Sequence, residues 1–259
     1  MILAIDCGNT NTVFALYSYN KNIRQESCWR INNDSKRTDD IYYPWLLQML
    51  NLSNFGLKDI TGVCIASVVP ETLLNIKSLI KKYFNVKLLV VGEKNFDIGI
   101  KVNIDNPNEA GADRLVNSFA AAKLNLSPAI IIDLGTATTL DMVINYKYFG
   151  GVILPGRTTS YENLISLASG IKNMKFSNDT NILGKNTSQA LMSGFNIGYK
   201  LMIESYLKLI KTTYKRNFKV IFTGGYASTI VNKKTKFIYR EDLTLLGTFF
   251  YQNFLNEKH

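Results

Sequence analysis

One short pattern occurs twice, and the repeat restricts the possible folds more than any other feature of the chain. Ile2-Leu3-Ala4-Ile5-Asp6-Cys7-Gly8-Asn9-Thr10-Asn11-Thr12 opens the sequence, and Ala129-Ile130-Ile131-Ile132-Asp133-Leu134-Gly135-Thr136-Ala137-Thr138-Thr139 returns about half a chain later. Each copy is an apolar run ending in Asp-x-Gly, then small hydroxyl or amide residues, then a second largely apolar stretch. That reads as a strand, a tight turn and a returning strand, with a carboxylate at the turn. Glycine permits positive φ and lets backbone N–H groups approach an anion. Threonine and asparagine add donors, and the aspartate suits a hydrated cation. A single copy is an ordinary hairpin turn. Two copies, with Thr223-Gly224-Gly225 after a later strand, point instead to paired hairpins gripping a nucleotide's phosphates from both sides.

The stretches around the repeats follow one plan. Strands are expected at about 1–6, 11–19 and 23–31, a helix at 38–51, a strand at 60–67, a helix at 70–84 and a strand near 87–91. An irregular stretch, 98–109, precedes a helix at 113–123. The second half repeats the order, with strands near 129–133, 137–144 and 148–154, helices at about 158–169 and 187–211, a strand at 218–222 and a helix at 243–256. Hairpins followed by alternating strands and helices predict an α/β architecture with mixed sheets flanked by helices. Duplication of the plan predicts two lobes, residues 1–114 and 115–259, with a cleft between them.

Composition removes several function classes. The only histidine is His259, which argues against histidine-dependent triads and His-metal clusters. The three cysteines, Cys7, Cys28 and Cys64, form no CxxC pair and fit reduced thiols in a cytoplasm. No apolar stretch is long enough to span a bilayer, and no secretory leader or membrane partner is expected. The formal charge is +10, but the lysines are dispersed and no nucleic-acid-binding module accompanies them, so nucleic acid is not an expected partner. A GxxxxGK[ST] loop and a GxGxxG fingerprint are both absent. Phosphate binding therefore falls to the hairpins.

A third stretch adds an acid and a base side by side. Asp105-Asn106-Pro107-Asn108-Glu109-Ala110-Gly111-Ala112-Asp113-Arg114 runs from a turn signal into a helix start. By spacing alone, Asp113 is equally well a first-turn aspartate favoured by the helix dipole.

Taken in order, the motifs resemble those of the type III pantothenate kinases. The resemblance is carried by Asp6-x-Gly-Asn-Thr, Asn106-Pro107, Gly111-Ala112-Asp113-Arg114 and Asp133-x-Gly-Thr-Ala-x-Thr. It continues through Gly150-Gly151-Val152-Ile153-x-Pro155-Gly156, Asn186-Thr187, Ser193-Gly194, Thr223-Gly224-Gly225 and Asp242-Leu243-Thr244-Leu245-x-Gly247. It implies a duplicated two-lobed actin-like ATPase (ribonuclease H-like) fold. The implied activity is transfer of the ATP γ-phosphoryl group to the primary hydroxyl of pantothenate, the first step towards coenzyme A. The resemblance makes Asp113 the general base. It assigns Gly111, Ala112, Asp113, Arg114 and Thr187 to pantothenate, with Arg114 suited to a carboxylate. ATP falls to Asp6, Cys7, Gly8, Asn9, Thr10, Asn11, Thr12, Val13, Thr136, Gly224 and Gly225. It further implies Mg²⁺ near Asp6, K⁺ or NH₄⁺ at Asp133, and a homodimer whose substrate pocket crosses the subunit interface.

The chain departs from the family twice. Ile104 stands where a tyrosine usually contacts pantothenate, and Ile171-Lys172-Asn173-Met174 replaces a Leu-Pro after the helix near 158–169. Two alternatives stay open: a non-catalytic regulatory or accessory relative, and a kinase for another small hydroxy acid.

Overall fold

The structure is a computed structural model that describes residues 1–257 except 20, 21, 35, 94–96, 169, 171–173, 178–180 and 231–235. The chain packs as two compact units, each gathered from separated stretches. Met1–Ser127, Val143–Gly150 and Asp242–His259 form the first, and Pro128–Met142 and Gly151–Glu241 form the second. The units depart from the expected halves, 1–114 and 115–259, because packing gives residues 115–127, Val143–Gly150 and the C-terminal stretch to the first unit.

In the first unit, β1 (Ile2–Cys7), β2 (Asn11–Tyr19), β3 (Ile23–Asn32), β4 (Gly62–Ser67) and β5 (Lys87–Val90) form a sheet of order β3-β2-β1-β4-β5. β1 and β2 pair antiparallel, as do β2 and β3, whereas β4 runs parallel to β1 and β5 parallel to β4. Alternation sends Leu3, Ile5 and Cys7 to one face, where they join Tyr42, Leu46 and Leu50 of α1 (Asp39–Leu52) and Ile76, Leu79 and Ile80 of α2 (Pro70–Tyr83). The opposite face is paved with small residues. Ala4 and Ala15 meet Leu245, Leu246 and Phe249 of α8 (Leu243–Glu257), while Cys64 and Ala66 meet Leu115 and Phe119 of α3 (Ala112–Lys123). Each fully buried leucine or phenylalanine in these layers contributes roughly 1.5–3 kcal/mol relative to exposure. A close approach joins the two helices themselves: a Cβ on Gly247 would stand 2.1 Å from the Val116 carbonyl oxygen.

The second sheet repeats the topology. β7 (Ala129–Leu134), β8 (Ala137–Ile144), β9 (Lys147–Pro155), β10 (Lys219–Thr223) and β11 (Ile238–Tyr239) take the order β9-β8-β7-β10-β11. β10 is parallel to both β7 and β11. Strand for strand, this is the order of the first sheet, so the internal repeat read from two turns extends to whole sheets. The chain thus adopts the expected duplicated α/β, ribonuclease H-like architecture of mixed sheets flanked by helices. A sixth, two-residue strand, β6 (Lys101–Val102), extends the second sheet at its edge by pairing parallel with Lys147 and Tyr148 of β9.

The helices differ in detail from the periodicity. The helix near 158–169 is α4 (Arg157–Leu167), and the long one expected at 187–211 is three joined pieces. α5 (Thr187–Met192) passes through a π-helical segment, Ser193–Gly198, into α6 (Tyr199–Tyr214). A short α7 (Ala227–Ile230) follows β10. Among the described residues, no helix is long and apolar enough to cross a membrane. Ile171, Lys172 and Asn173 lie outside the described residues.

Candidate active site

The first turn is built by strand register. Asp6 pairs with Val13 and Cys7 with Thr12, so Gly8, Asn9 and Thr10 span the gap, and the Gly8 N–H donates to the Asn11 carbonyl at 3.0 Å. Asn9 and Thr10 are exposed. Cys7 and Thr12 are fully buried, so their side chains pack inward from the turn. The Cys7 thiol is pushed up to about 12 by burial and by the neighbouring Asp6 charge, against opposing hydrogen bonds with Thr12 and Ser67. It is therefore a neutral packing group at physiological pH. The Thr12 hydroxyl donates to Asn33 Oδ1 at 2.6 Å.

The acid-base stretch lies in the same unit and is tied to that turn. The Val68 N–H, just beyond β4, donates to the Cys7 carbonyl at 3.1 Å. Its Cγ1 lies 3.7 Å from where a Gly111 Cβ would be. Gly111 caps α3, which places Asp113 in the first helical turn. The Asp113 carboxylate accepts the Arg114 N–H at 2.7 Å, and its Oδ1 lies only 2.6 Å from the position of a Gly111 Cβ. A Cβ here would displace the carboxylate beside it, although the φ of −58° is open to any residue. Upstream, Asn106 accepts the Asn108 N–H at 3.2 Å and donates to Glu109 at 2.8 Å, which shapes a short 3-10 turn, Pro107–Glu109. The Arg114 guanidinium lies 5.8 Å from the Tyr148 ring centroid. Ile104 is partly buried in the apolar cluster that holds Tyr148 and Leu115, with its Cγ2 3.2 Å from a Gly150 Cβ position.

The second unit carries the second turn. Gly135 N–H donates to the Ala137 carbonyl at 3.0 Å, the counterpart of the Gly8–Asn11 bond. Two further loops close on it. Gly156 donates to the Thr136 carbonyl at 3.0 Å, and a Cβ there would stand 2.3 Å from the Gly135 oxygen. Gly224, at φ +86°, packs so tightly that a Cβ would lie 2.4 Å from Asp133 Oδ1. Gly225 has nothing within 4 Å of its Cβ position and leaves an open face beside Gly224. The two turn motifs and Thr223-Gly224-Gly225 thus divide between the units, the first turn in one and the second turn with the glycine pair in the other.

Thr187 is exposed as the first residue of α5. Asn186 caps that helix by accepting the Gln189 N–H at 2.9 Å. Several contacts near the two turns involve residues that carry no motif in the sequence. Tyr199 bonds the buried Thr138 hydroxyl. Arg157 lies 4.8 Å from the Phe176 ring centroid, where burial pushes its pKa down. Asn33 braces the first turn from the end of β3. A lone polar residue after a strand has no spacing signal, so sequence reasoning had nothing by which to select it.

Among the described residues, no group of three or more His, Cys, Asp or Glu side chains is arranged as a metal cage. A divalent cation held by one carboxylate and substrate phosphates needs no such cage, and Asp6 at the end of β1 fits that role. At the second turn, the Thr136 carbonyl already accepts from Gly156 and, at 2.9 Å, from the Thr159 hydroxyl.

Comparison with known proteins finds relatives that align with almost the whole chain. Residues 2–209 match a family model described as type III pantothenate kinase. Type III pantothenate kinases from Paramagnetospirillum magneticum and Caulobacter vibrioides are 41% identical over 250 residues and 42% identical over 231 residues. The first alignment covers 95% of both chains, the second 88% of this chain and 87% of the relative. Among solved structures, a Campylobacter jejuni protein assigned to a Baf family of transcriptional activators superposes with a TM-score of 0.62 at 20% identity, covering 98% of this chain and 99% of its own. The activator of the 2-hydroxyisocaproyl-CoA dehydratase from Clostridium difficile, with ADPNP bound, gives 0.56 at 11% identity, covering 99% and 96%. At these identities the solved structures speak for the fold alone.

Proposed function

The chain belongs to the type III pantothenate kinase family, and we infer from that membership that it phosphorylates pantothenate to 4'-phosphopantothenate with ATP, opening coenzyme A biosynthesis. The observation that carries the reading is identity near 40% to pantothenate kinases along almost the whole chain. The intact Asp6 turn and the Asp113 helix start, held in one unit, support it.

In the mechanism proposed here, Gly8 closes the turn with its own N–H, and backbone N–H groups of Asn9, Thr10 and Asn11 receive the phosphates. Asp6 holds Mg²⁺, which neutralises phosphate charge when bound. Arg114 pairs with the pantothenate carboxylate, and Gly111, Ala112 and Thr187 line the acceptor. Asp113 accepts the proton of the primary hydroxyl as its oxygen bonds to the γ-phosphorus, and the β–γ bridging bond breaks to release ADP. Because phosphoryl transfer proceeds through a loose transition state, positioning and charge neutralisation carry most of the catalysis, and a carboxylate is a sufficient base. Asp133 holds K⁺ or NH₄⁺, and Thr136, Gly224 and Gly225 contact the nucleotide.

A cytoplasmic homodimer completes the proposal. Three free thiols suit a reducing compartment. Leu164 and Leu167 on α4 and Leu201 and Leu209 on α6 expose apolar side chains that a partner copy would cover.

The test is ADP release with Mg-ATP and pantothenate, comparing potassium with sodium and wild type with Asp113→Asn. Pantothenate-dependent, potassium-stimulated turnover that falls by about 10²–10⁴-fold in the variant is expected. Nucleotide binding without turnover in the wild type would instead favour an accessory role.

A further inference from the structure

The first turn has a feature that its own sequence does not explain. Hairpin turns have two ways to orient each peptide plane, yet a phosphate receptor needs the N–H ends presented together. Asn33, one residue beyond β3, makes three contacts with the turn. Its backbone N–H donates to the Thr10 carbonyl at 2.8 Å, its side-chain amide donates to the Gly8 carbonyl, and its Oδ1 accepts the Thr12 hydroxyl at 2.6 Å. In a trans peptide, C=O and the following N–H point opposite ways. Drawing the Gly8 and Thr10 carbonyls towards Asn33 therefore turns the Asn9 and Asn11 N–H groups to the other side. It also satisfies two carbonyl dipoles that would otherwise repel an incoming phosphate.

The brace is itself anchored. The Arg37 carbonyl, a few residues on, accepts Asn75 Nδ2 of α2 at 3.0 Å, so the segment after β3 is held to a helix. Removing the Asn33 side chain would free the Gly8 carbonyl and the Thr12 hydroxyl while its backbone still holds Thr10, and the sheet would stay folded because β1 and β2 keep their own register.

We propose that Asn33 is a positioning residue for phosphoryl transfer, setting the peptide planes of the turn that receives the ATP phosphates. This inference rests on the reading of the chain as an ATP-dependent kinase. The test is Asn33→Ala, with Asn33→Ser as the milder variant should the first fail to fold. Three readouts are taken: Michaelis constants for ATP and pantothenate, affinity for ATP against adenosine by calorimetry, and amide exchange at Asn9 and Asn11. Asn33→Ala should lower kcat/KM for ATP on the order of 10²-fold, as displacement of a catalytic constellation does. KM for pantothenate and adenosine affinity should hold, exchange should quicken at Asn9 with Asn11, behind the retained Thr10 bond, as the reference, and Asn33→Ser should fall between. Unchanged ATP affinity with unchanged exchange overturns the proposal, as does equal loss for ATP and adenosine, which would mean general destabilisation. If wild-type protein lacks pantothenate-dependent turnover, the kinase reading fails separately. ATP-against-adenosine binding and amide exchange then still decide the role of Asn33.

Discussion

Adding one methyl group at Gly111 should separate catalysis from stability. An alanine Cβ there would stand 2.6 Å from Asp113 Oδ1, whereas ordinary contact begins at 3.4 Å, so the carboxylate must withdraw by about 0.8 Å. Nothing else needs to move, since Val68 Cγ1 and Arg114 Cδ are already at 3.7 and 3.8 Å and φ is −58°. Pushing one partly exposed side chain from its rotamer costs about 0.5–1.5 kcal/mol. At roughly 2–4 °C per kcal/mol for a domain of moderate size, Tm should fall by a few degrees at most. Catalysis should suffer far more, because a base misplaced by nearly an ångström loses on the order of 10²-fold in rate. Steady-state ADP release should show kcat reduced and KM for ATP unchanged. Since both substitutions disable one group, Gly111→Ala combined with Asp113→Asn should be no worse than Asp113→Asn alone. Wild-type kcat in Gly111→Ala would refute the claim that Asp113 works from its position against Gly111. A collapse of Tm would refute the side-chain-only argument.

The second unit offers a paired test at adjacent glycines. Gly224→Ala combines a φ of +86° with a Cβ 2.7 Å from the Leu134 backbone nitrogen. Left-handed strain alone costs about 1–2 kcal/mol, so chemical denaturation should show at least that loss. Gly225→Ala meets nothing within 4 Å and should keep its stability, so any drop in its ATP affinity reports nucleotide contact directly. Thiol titration at neutral pH should count one reactive cysteine, Cys28, in native protein and three after denaturation, because Cys7 and Cys64 are buried and burial pushes both thiols up. The buried Cys7 thiol ionises at about 12 when folded, against an ordinary value of 9.0. Its contribution to stability is complete below pH 9.0 and is lost as pH rises towards 12. Denaturation midpoints that rise with pH over that window would contradict the burial.

Which parts of this molecule are written locally follows from the range of the forces involved. Strand–turn–strand patterns at Asp6 and Asp133, their duplication and the helix start at Asp113 depend on neighbours a few residues apart, so alternation and turn chemistry expose them in the sequence. Exclusion of a P-loop, a histidine triad and a disulfide frame needed only residue counts and spacings. Other features depend on contacts between distant segments. Gly247 sits against Val116, Gly224 against Asp133, and Asn33 against Gly8 and Thr12, and none of these pairings leaves a periodic trace. The same holds for β6 and β11, two-residue strands whose existence rests on partners supplied by the sheet. A turn residue's identity likewise does not say which of its atoms faces the ligand. Cys7 and Thr12 read as part of a phosphate loop, yet their side chains are buried, and the Thr12 hydroxyl turns inward to Asn33. The sequence by itself determined the chemistry on offer, the order of elements and the duplication, because these arise from local backbone preference. Tertiary structure alone decided which carbonyls are occupied, which glycines cannot gain a methyl group, and how the first turn's peptide planes are set, because those depend on packing across the chain.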